Sequence, residues 1–414
     1  MKKQVKKLFP ILLASLTLAA CQQGVASQTG SSSAILTSTS TDQATSTEEV
    51  TATTGYFSDK DLDASYDGAS ASKIELKGST ATTSGDGVSL SGSVVTISQA
   101  GTYIVSGESD GLQILVEAAD SDEVQIVLNG VTMTGTDALI AVSNADKVYL
   151  TLAEGTTNTL SDSADRTATD FSAAIYSKKD LTINGSGQLT VEGNYNNAIK
   201  SNDDLKITGG NYKLTAAKHG LSANDALNVT GATLDIVATE DAIHSDNDED
   251  KSLGNLYITN SHITIQAGDD AIHASNEALM DSGTITIQTS TEGIEGKVVT
   301  LNGGTIDIKA TDDGINASDW TASSSDVYQT GVGININGGD ISITMASGDT
   351  DAIDSNGDVT VTGGTVTISA QSAFDFNGTA TYTGGEIMVN GQTVTEITNA
   401  MMMGGPGGGM PHGR

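Results

Sequence analysis

Hydrophobic and polar residues alternate in short bursts along most of this chain, and many bursts come in pairs around a glycine turn. LKITGGNYKLTA from residue 205, VVTLNGGTIDIKA from 298, INGGDISITMA from 336 and VTVTGGTVTISA from 359 all show the pattern. A period of two puts successive side chains on opposite faces of a strand. Gly-Gly and Asn-Gly supply the left-handed backbone that a sharp bend needs. Each pair therefore predicts strand, turn, strand. The apolar spacing of three and four that marks a helix is absent from these windows.

A third burst surrounds a short acidic motif, as in GDDAIHASNE at residues 268–277. Its hydrophobic residue recurs as Ile199, Leu221, Ile243, Ile272, Ile294, Ile315, Ile353 and Phe374, at intervals of 22, 22, 29, 22, 21, 38 and 21 residues. The unit is about 22 residues with two insertions, and a fixed period of this length marks a stacked repeat. The expected fold is all-β, a right-handed parallel β-helix whose coils lie about 4.8 Å apart and bury alternate Ile, Val, Leu and Ala. The hand follows from the crossover rule for parallel strands. Some 13 coils between residues 80 and 395 would make a rod about 60 Å long. VVTISQAGTYIVSG from 94, LQILVE from 112, VQIVLNGVTMTG from 124 and KVYLTLAEG from 147 alternate without the acidic motif and read as the first coils.

The ends read differently. Residues 1–20 carry Lys2, Lys3, Lys6 and Lys7 before an apolar run too short to span a membrane, the pattern of an export leader. It closes on Leu18-Ala19-Ala20-Cys21, like a lipobox, which makes Cys21 a lipidation site. As the chain's single cysteine it has no intrachain partner. The expected location is the extracellular face of the cytoplasmic membrane, with the lipid as the only membrane contact. Residues 21–55 are Ser- and Thr-rich, the composition of a disordered tether spanning roughly 30 Å as a coil and about 115 Å stretched. Residues 56–93 read as an N-terminal cap region, 94–398 as the β-helix and 399–414 as a flexible Met/Gly tail.

Charge narrows the partners. The formal net charge is −33, and without the four leader lysines 15 basic residues face 52 acidic ones, giving −37. Nucleic acid and anionic lipid head groups are therefore poor partners for the body. A monomer is expected.

Stacking makes those acids a column. Two residues before the anchors stand Asn197, His219, Asp241, Asp270, Glu292, Asp313 and Asp351, with Glu240, Asp269, Asp312 and Asp349 beside them. One residue after stand Lys200, Ser222, His244, His273, Glu295, Asn316 and Asp354. Two carboxylates at the strand spacing repel by roughly 3.5 kcal/mol at an effective dielectric near 20. A solvated face whose side chains splay outward is one solution. A hard dication is the other, and Ca2+ suits flexible oxygen ligands best. The registered position of the acids favours the cation. The insertion HSDNDEDK at 244–251 adds Asp246 and Asp248 as further oxygen donors, without the glycine and terminal glutamate of an EF-hand. His244 and His273 share a register and read as an outward imidazole stack. Trp320, the one tryptophan, and Tyr328 sit in the longer insertion as a candidate sugar-stacking platform. Met401, Met402, Met403, Met410 and His412 read as an oxidisable tail in preference to a copper site.

These segments resemble a family of bacterial surface carbohydrate-binding proteins with a pectate-lyase-like right-handed β-helix, formerly a domain of unknown function. The resemblance covers residues 85–395 and rests on ISQAGTYIVSG, VQIVLNGVTM, ADKVYLTLAEGTTNTL, AIYSKKDLTINGSGQLTV, the repeated D-[AG]-I coil and the NDED insertion. It implies binding of an acidic polysaccharide such as polygalacturonate, with calcium between coils and no catalysis. The implied metal positions are Asp241, Asp270, Glu292, Asp313 and Asp351 with their acidic neighbours. NNAI at 196 and KHGL at 218 depart from the motif. Two alternatives remain open: a calcium-dependent polysaccharide lyase or glycoside hydrolase on the same scaffold, with Lys297 or Lys309 as a base, and an adhesin or wall-structural rod.

Overall fold

The alternating bursts become strands that join one long, mostly parallel sheet. The computed structural model describes residues 55–166, 170–323, 327–348 and 350–399. The leader, Cys21, all but the last residue of the tether, Asp349 and residues 400–414 lie outside the described residues. Among the described residues there are 36 strands, all in the one sheet, and a single-turn helix, Asp59–Leu62.

In the repeat region a strand pairs with the strand three places on, so three parallel ladders form. The first runs through Ala173–Ser177, Asn197–Ser201, Leu221–Ala223, Ile243–Ser245, Ile272–Met280, Ile294–Leu301, Asp313–Ala317, Asp351–Ser355 and Ser372–Phe376. The second includes Asp180–Gly185, Leu205–Thr208, Ala226–Thr230 and Asn255–Thr259. The third includes Gln188–Gly193, Asn211–Ala216, Thr233–Ala238 and Ser261–Ala267.

All eight anchors fall in one register on the first ladder, from Ile199 opposite Leu221 to Ile353 opposite Phe374. Each is buried, and burying one such side chain contributes roughly 1.5–3 kcal/mol. The residue before the anchor must be small. A Cβ at Gly314 would lie 2.5 Å from the Ala352 carbonyl oxygen, and one at Gly220 would lie 2.7 Å from that of Ala242. Ala198, Ala242, Ala271 and Ala352 fill the position elsewhere and are fully buried. This crowding explains the D-[AG]-I motif.

Both insertions, residues 246–254 and 318–332, leave the first ladder and return at the second. Lys251 Nζ donates to Thr321 Oγ1 at 2.7 Å, so the two loops meet.

Residues 56–65 form a strap across the second ladder. Tyr56 stacks on Tyr257 with ring centroids 3.8 Å apart. Backbone carbonyls of Tyr56, Asp61, Asp63 and Ser65 accept hydrogen bonds from Asn228, Thr208, Asn184 and Gln125, polar side chains on four strands of this ladder. Ser58 and Asp61 close a capping box on the short helix. The buried Asp61 carboxylate pairs with Lys147 at 2.6 Å and Lys206 at 3.5 Å and accepts from Thr182 at 2.6 Å. These partners outweigh burial and hold it far below the usual carboxylate range. Further on, strands Ser72–Gly78 and Thr80–Ser84 form an antiparallel hairpin, as do Val88–Ser91 and Val94–Ile97.

Replacing Asp61 with Ala strips the counter-charge from two partly buried lysines, a change expected to cost about 3–5 kcal/mol. Urea denaturation of Asp61→Ala checks this, and a loss below about 1 kcal/mol would mean the strap is not held by charge.

Candidate functional site

The D-[AG]-I motif sits where the chain enters the first ladder, and stacking sets its acids above one another. Main-chain pairing keeps the column straight: the carbonyls of His219, Asp241, Asp270, Glu292 and Asp313 each accept from a backbone N–H of the preceding repeat. The side chains join in. Asp241 Oδ1 accepts from the Asp270 N–H at 3.1 Å, and Asp313 Oδ1 accepts from the Asp351 N–H at 3.3 Å. Ser372 donates to Asp351. The second column, one residue past the anchors, runs Lys200, Ser222, His244, His273, Glu295, Asn316, Asp354 and Asp375 in unbroken register.

In the middle repeats the two columns interlock. His219, His244 and His273 stack, with centroids 4.1 and 5.0 Å apart. Asp241 Oδ2 lies 2.6 Å from His244 Nδ1 and 3.4 Å from His219 Nδ1. His273 Nδ1 lies 2.6 Å from Glu295 Oε2 and 3.3 Å from Asp270 Oδ2. Three groups each bring ligand atoms within 4.8 Å of one another: His219, Asp241 and His244; Asp270, His273 and Glu295; Asp241, Asp269 and Asp270.

The electrostatics split accordingly. Burial acts upward on Asp241 and Glu295, but their histidine partners outweigh it and both sit below the usual range. Burial pushes Asp270 up to about 7, with Glu295 and Asp241 adding to it. Glu292 is pushed up to about 8 by burial and then by Glu295, Asp270 and Asp313. Burial and its acidic neighbours raise Asp313 to about 6 and Asp354 to about 7. Asp269 moves up for the same reasons. His219 is pushed down to about 3 by burial and by His244, while carboxylate hydrogen bonds carry His273 well above the ordinary histidine value. Among the described residues, no lysine or arginine forms an ion pair with Asp270, Glu292, Asp313 or Asp354.

Asp241, Asp269, Asp270, Glu292, Glu295, Asp313, Asp351 and Asp354 thus share one face, with the exposed Asp312 at its rim. Asp246 and Asp248 stand elsewhere, on the wall of a neighbouring cleft. Their loop is shaped by Asn247, whose Oδ1 accepts from the N–H groups of Glu249 and Asp250 at 3.0 and 2.8 Å. Trp320 and Tyr328 are exposed on the longer insertion, 52% and 47%, and among the described residues no ring contact joins them. Lys297 is held by Asp319 at 3.0 Å, and Lys309 lies on a third-ladder strand, Thr305–Ala310. Arg166 is buried, donating to Asp162 at 2.8 Å and to the Ala173 carbonyl at 3.0 Å.

One column member escaped sequence reasoning, and the role of another was missed. His219, placed in the column by the repeat, reads in KHGL as a departure from the motif, yet its ring stacks on His244 of the next repeat. Asp375 follows Phe374 as Asp354 follows Ile353, a signal hidden by the aromatic anchor.

A family model described as carbohydrate-binding domain-containing protein matches residues 91–349. The chain belongs to this family. The match takes in the column from Asn197 to Asp313 and stops short of Asp351, Asp354 and Asp375. A carbohydrate-binding domain-containing protein of Acetivibrio thermocellus is 42% identical over 137 residues, 32% of this chain and 48% of that protein. The chain therefore spans about half the length of this curated relative. A solved structure, the polysaccharide lyase-like protein from C. thermocellum as a gadolinium derivative, is 27% identical and covers 78% of this chain and 98% of its own, at a TM-score of 0.44. That superposition is too loose to transfer chemistry.

Carboxyls with raised folded values bind more protons folded than unfolded, so they stabilise the protein at low pH and lose that contribution as pH rises through about 6 to 8. His219 opposes this only below the ordinary histidine range, while His273, raised well above that range, adds to the fall, so the window from pH 6.5 to 8 reports the acids and His273 together. In EDTA the melting temperature should fall across that window, each proton released costing about 1.4 kcal/mol per pH unit. Saturating calcium should flatten the profile. A flat profile in EDTA would show that the column is not under charge strain.

Proposed function

We propose that the protein is a lipid-anchored surface protein, held through Cys21, that binds an acidic, polygalacturonate-like polysaccharide through Ca2+ on a right-handed parallel β-helix, without turning it over. The observation that carries this reading is the partly buried, registered set of Glu292, Asp313 and Asp354, carboxyls raised toward neutrality with no lysine or arginine in ion-pair reach among the described residues. Such a donor set fits a hard dication, which would replace the shared protons. Asp270, Glu292, Asp313 and Asp354 would hold it, with Asp241, Asp269, Glu295, Asp312 and Asp351 beside them. A bound cation with open positions supplies the bridge by which a −37 body meets a uronate carboxylate. The exposed Trp320 and Tyr328 offer a stacking surface for sugar rings nearby in sequence.

A second reading, a lyase or hydrolase on the same scaffold, draws on Glu292 and Asp354. Their carboxyls are pushed up by burial and acidic neighbours to about 8 and about 7, the range a general acid requires. Against it, Arg166 and Lys297 are already committed to carboxylate partners.

Binding to immobilised polygalacturonate should require calcium and vanish in EDTA, and the Glu292→Gln, Asp354→Asn double variant should bind about tenfold more weakly or worse. Affinity that survives chelation undiminished would remove the cation bridge. Steady appearance of unsaturated products or new reducing ends would replace binding by catalysis.

A further inference from the structure

Upstream of the acids, the second column changes sign. Lys200 occupies the register that His244, His273, Glu295 and Asp354 fill further along. Lys178 and Lys179 lie one repeat earlier and Lys218 just before the next strand, and all four line a single cleft of about 920 Å³. That is four of the seventeen lysines in a strongly acidic chain. Among the described residues, only Lys218 of the four has a carboxylate in ion-pair reach, Glu240 at 3.5 Å. Lys178 lies 6.0 Å over the Phe171 ring, a weak contact for a cation. Burial, with Lys218 adding to it, lowers the half-buried Lys200 below the usual lysine range, so an anion in the cleft would meet a poorly solvated charge.

Acids line the same cleft. Asp203 and Asp225 lie among the lysines, Asp246 and Asp248 come from the insertion, which Asn247 ties to Asp225 at 2.8 Å, and His219 and His244 of the column complete the lining. A simple inorganic anion would gain from the lysines and be repelled by the acids. A ligand carrying both an anionic group and hydroxyl donors would satisfy both, and the volume suits one or a few sugar rings.

We propose that this cleft is a subsite for an anionic sugar residue, whose carboxylate or sulfate group pairs directly with Lys200 and its lysine neighbours while ring hydroxyls donate to Asp246 and Asp248. The inference rests on the acidic-glycan reading, but it needs no metal. The chain would then hold an acidic polysaccharide in two ways: through cations along the acidic stretch, and by direct charge pairing at the lysine end.

The test is calorimetric titration of the full chain with trigalacturonate in EDTA, at low and high salt. Lys200→Gln and the Lys178→Gln, Lys179→Gln pair are compared with Lys200→Arg and with Lys213→Gln, an exposed third-ladder control. Wild type should bind in EDTA, more weakly as salt rises. Lys200→Gln should lose about tenfold, the scale of one charged hydrogen bond, with Lys200→Arg and Lys213→Gln near wild type. Inorganic sulfate should compete poorly; competition as strong as the sugar's would mean a bare anion site and overturn the sugar assignment. Binding that appears only when calcium is added would overturn the lysine subsite and leave the cation route standing. So would chelator-resistant binding that the lysine variants leave unchanged. No binding with or without calcium would sink the acidic-glycan reading itself.

Discussion

Parallel stacking at a fixed register is the constraint on which everything else depends. Once the hydrogen bonds of one repeat set the next directly over it, each sequence position becomes a line of like side chains. For apolar residues this is favourable, as the buried series from Ile199 to Phe374 shows. For acids the same geometry concentrates charge that an irregular surface would disperse. The fold thus creates both its core and its electrostatic tension by one rule. The small residue between acid and anchor belongs to the same rule, because backbone of the adjacent repeat fills the space above it.

That tension is relieved differently along the column. Around Asp241 and Glu295 histidines share protons with the acids. Glu292, Asp313 and Asp351 instead accept hydrogen bonds from Asn316, the Asp351 N–H and the Ser372 hydroxyl, while burial and like charge push Glu292, Asp313 and Asp354 toward the protonated form. At the upstream end the register carries lysine. A graded line of this kind is better suited to a long, chemically repeating ligand than to one compact molecule, which accords with membership of a carbohydrate-binding family.

Much of this was legible in sequence because the repeat is short and strictly timed. Aligning eight hydrophobic residues was enough to place Asp241, Asp270, Glu292 and Asp313 on one face, and alternation alone gave the strands. What stayed hidden depended on side-chain reach. The diagonal contact of His219 with His244 crosses registers, so no column alignment shows it. The acids of the 246–254 insertion read as extra cation donors, and nothing in the sequence showed that Asp246 and Asp248 share a cleft with Lys178, Lys179, Lys200 and Lys218. Nor did composition reveal the strap, because the polar residues Asn184, Thr208 and Asn228 read as ordinary outward positions until residues 56–65 lie across them.

The strap also alters how the molecule comes apart. A stack whose repeats touch only their neighbours melts piecemeal, fraying from either end. A segment bonded to strands from Gln125 to Tyr257 links repeats that never meet, so that portion must open as one cooperative block. Beyond Tyr257 the cross-repeat contact is far slighter, a hydrogen bond from Lys251 of one insertion to Thr321 of the other. The repeats bearing Asp270 through Asp375 therefore depend mainly on adjacent-strand cohesion, and they are the part of the stack expected to open first.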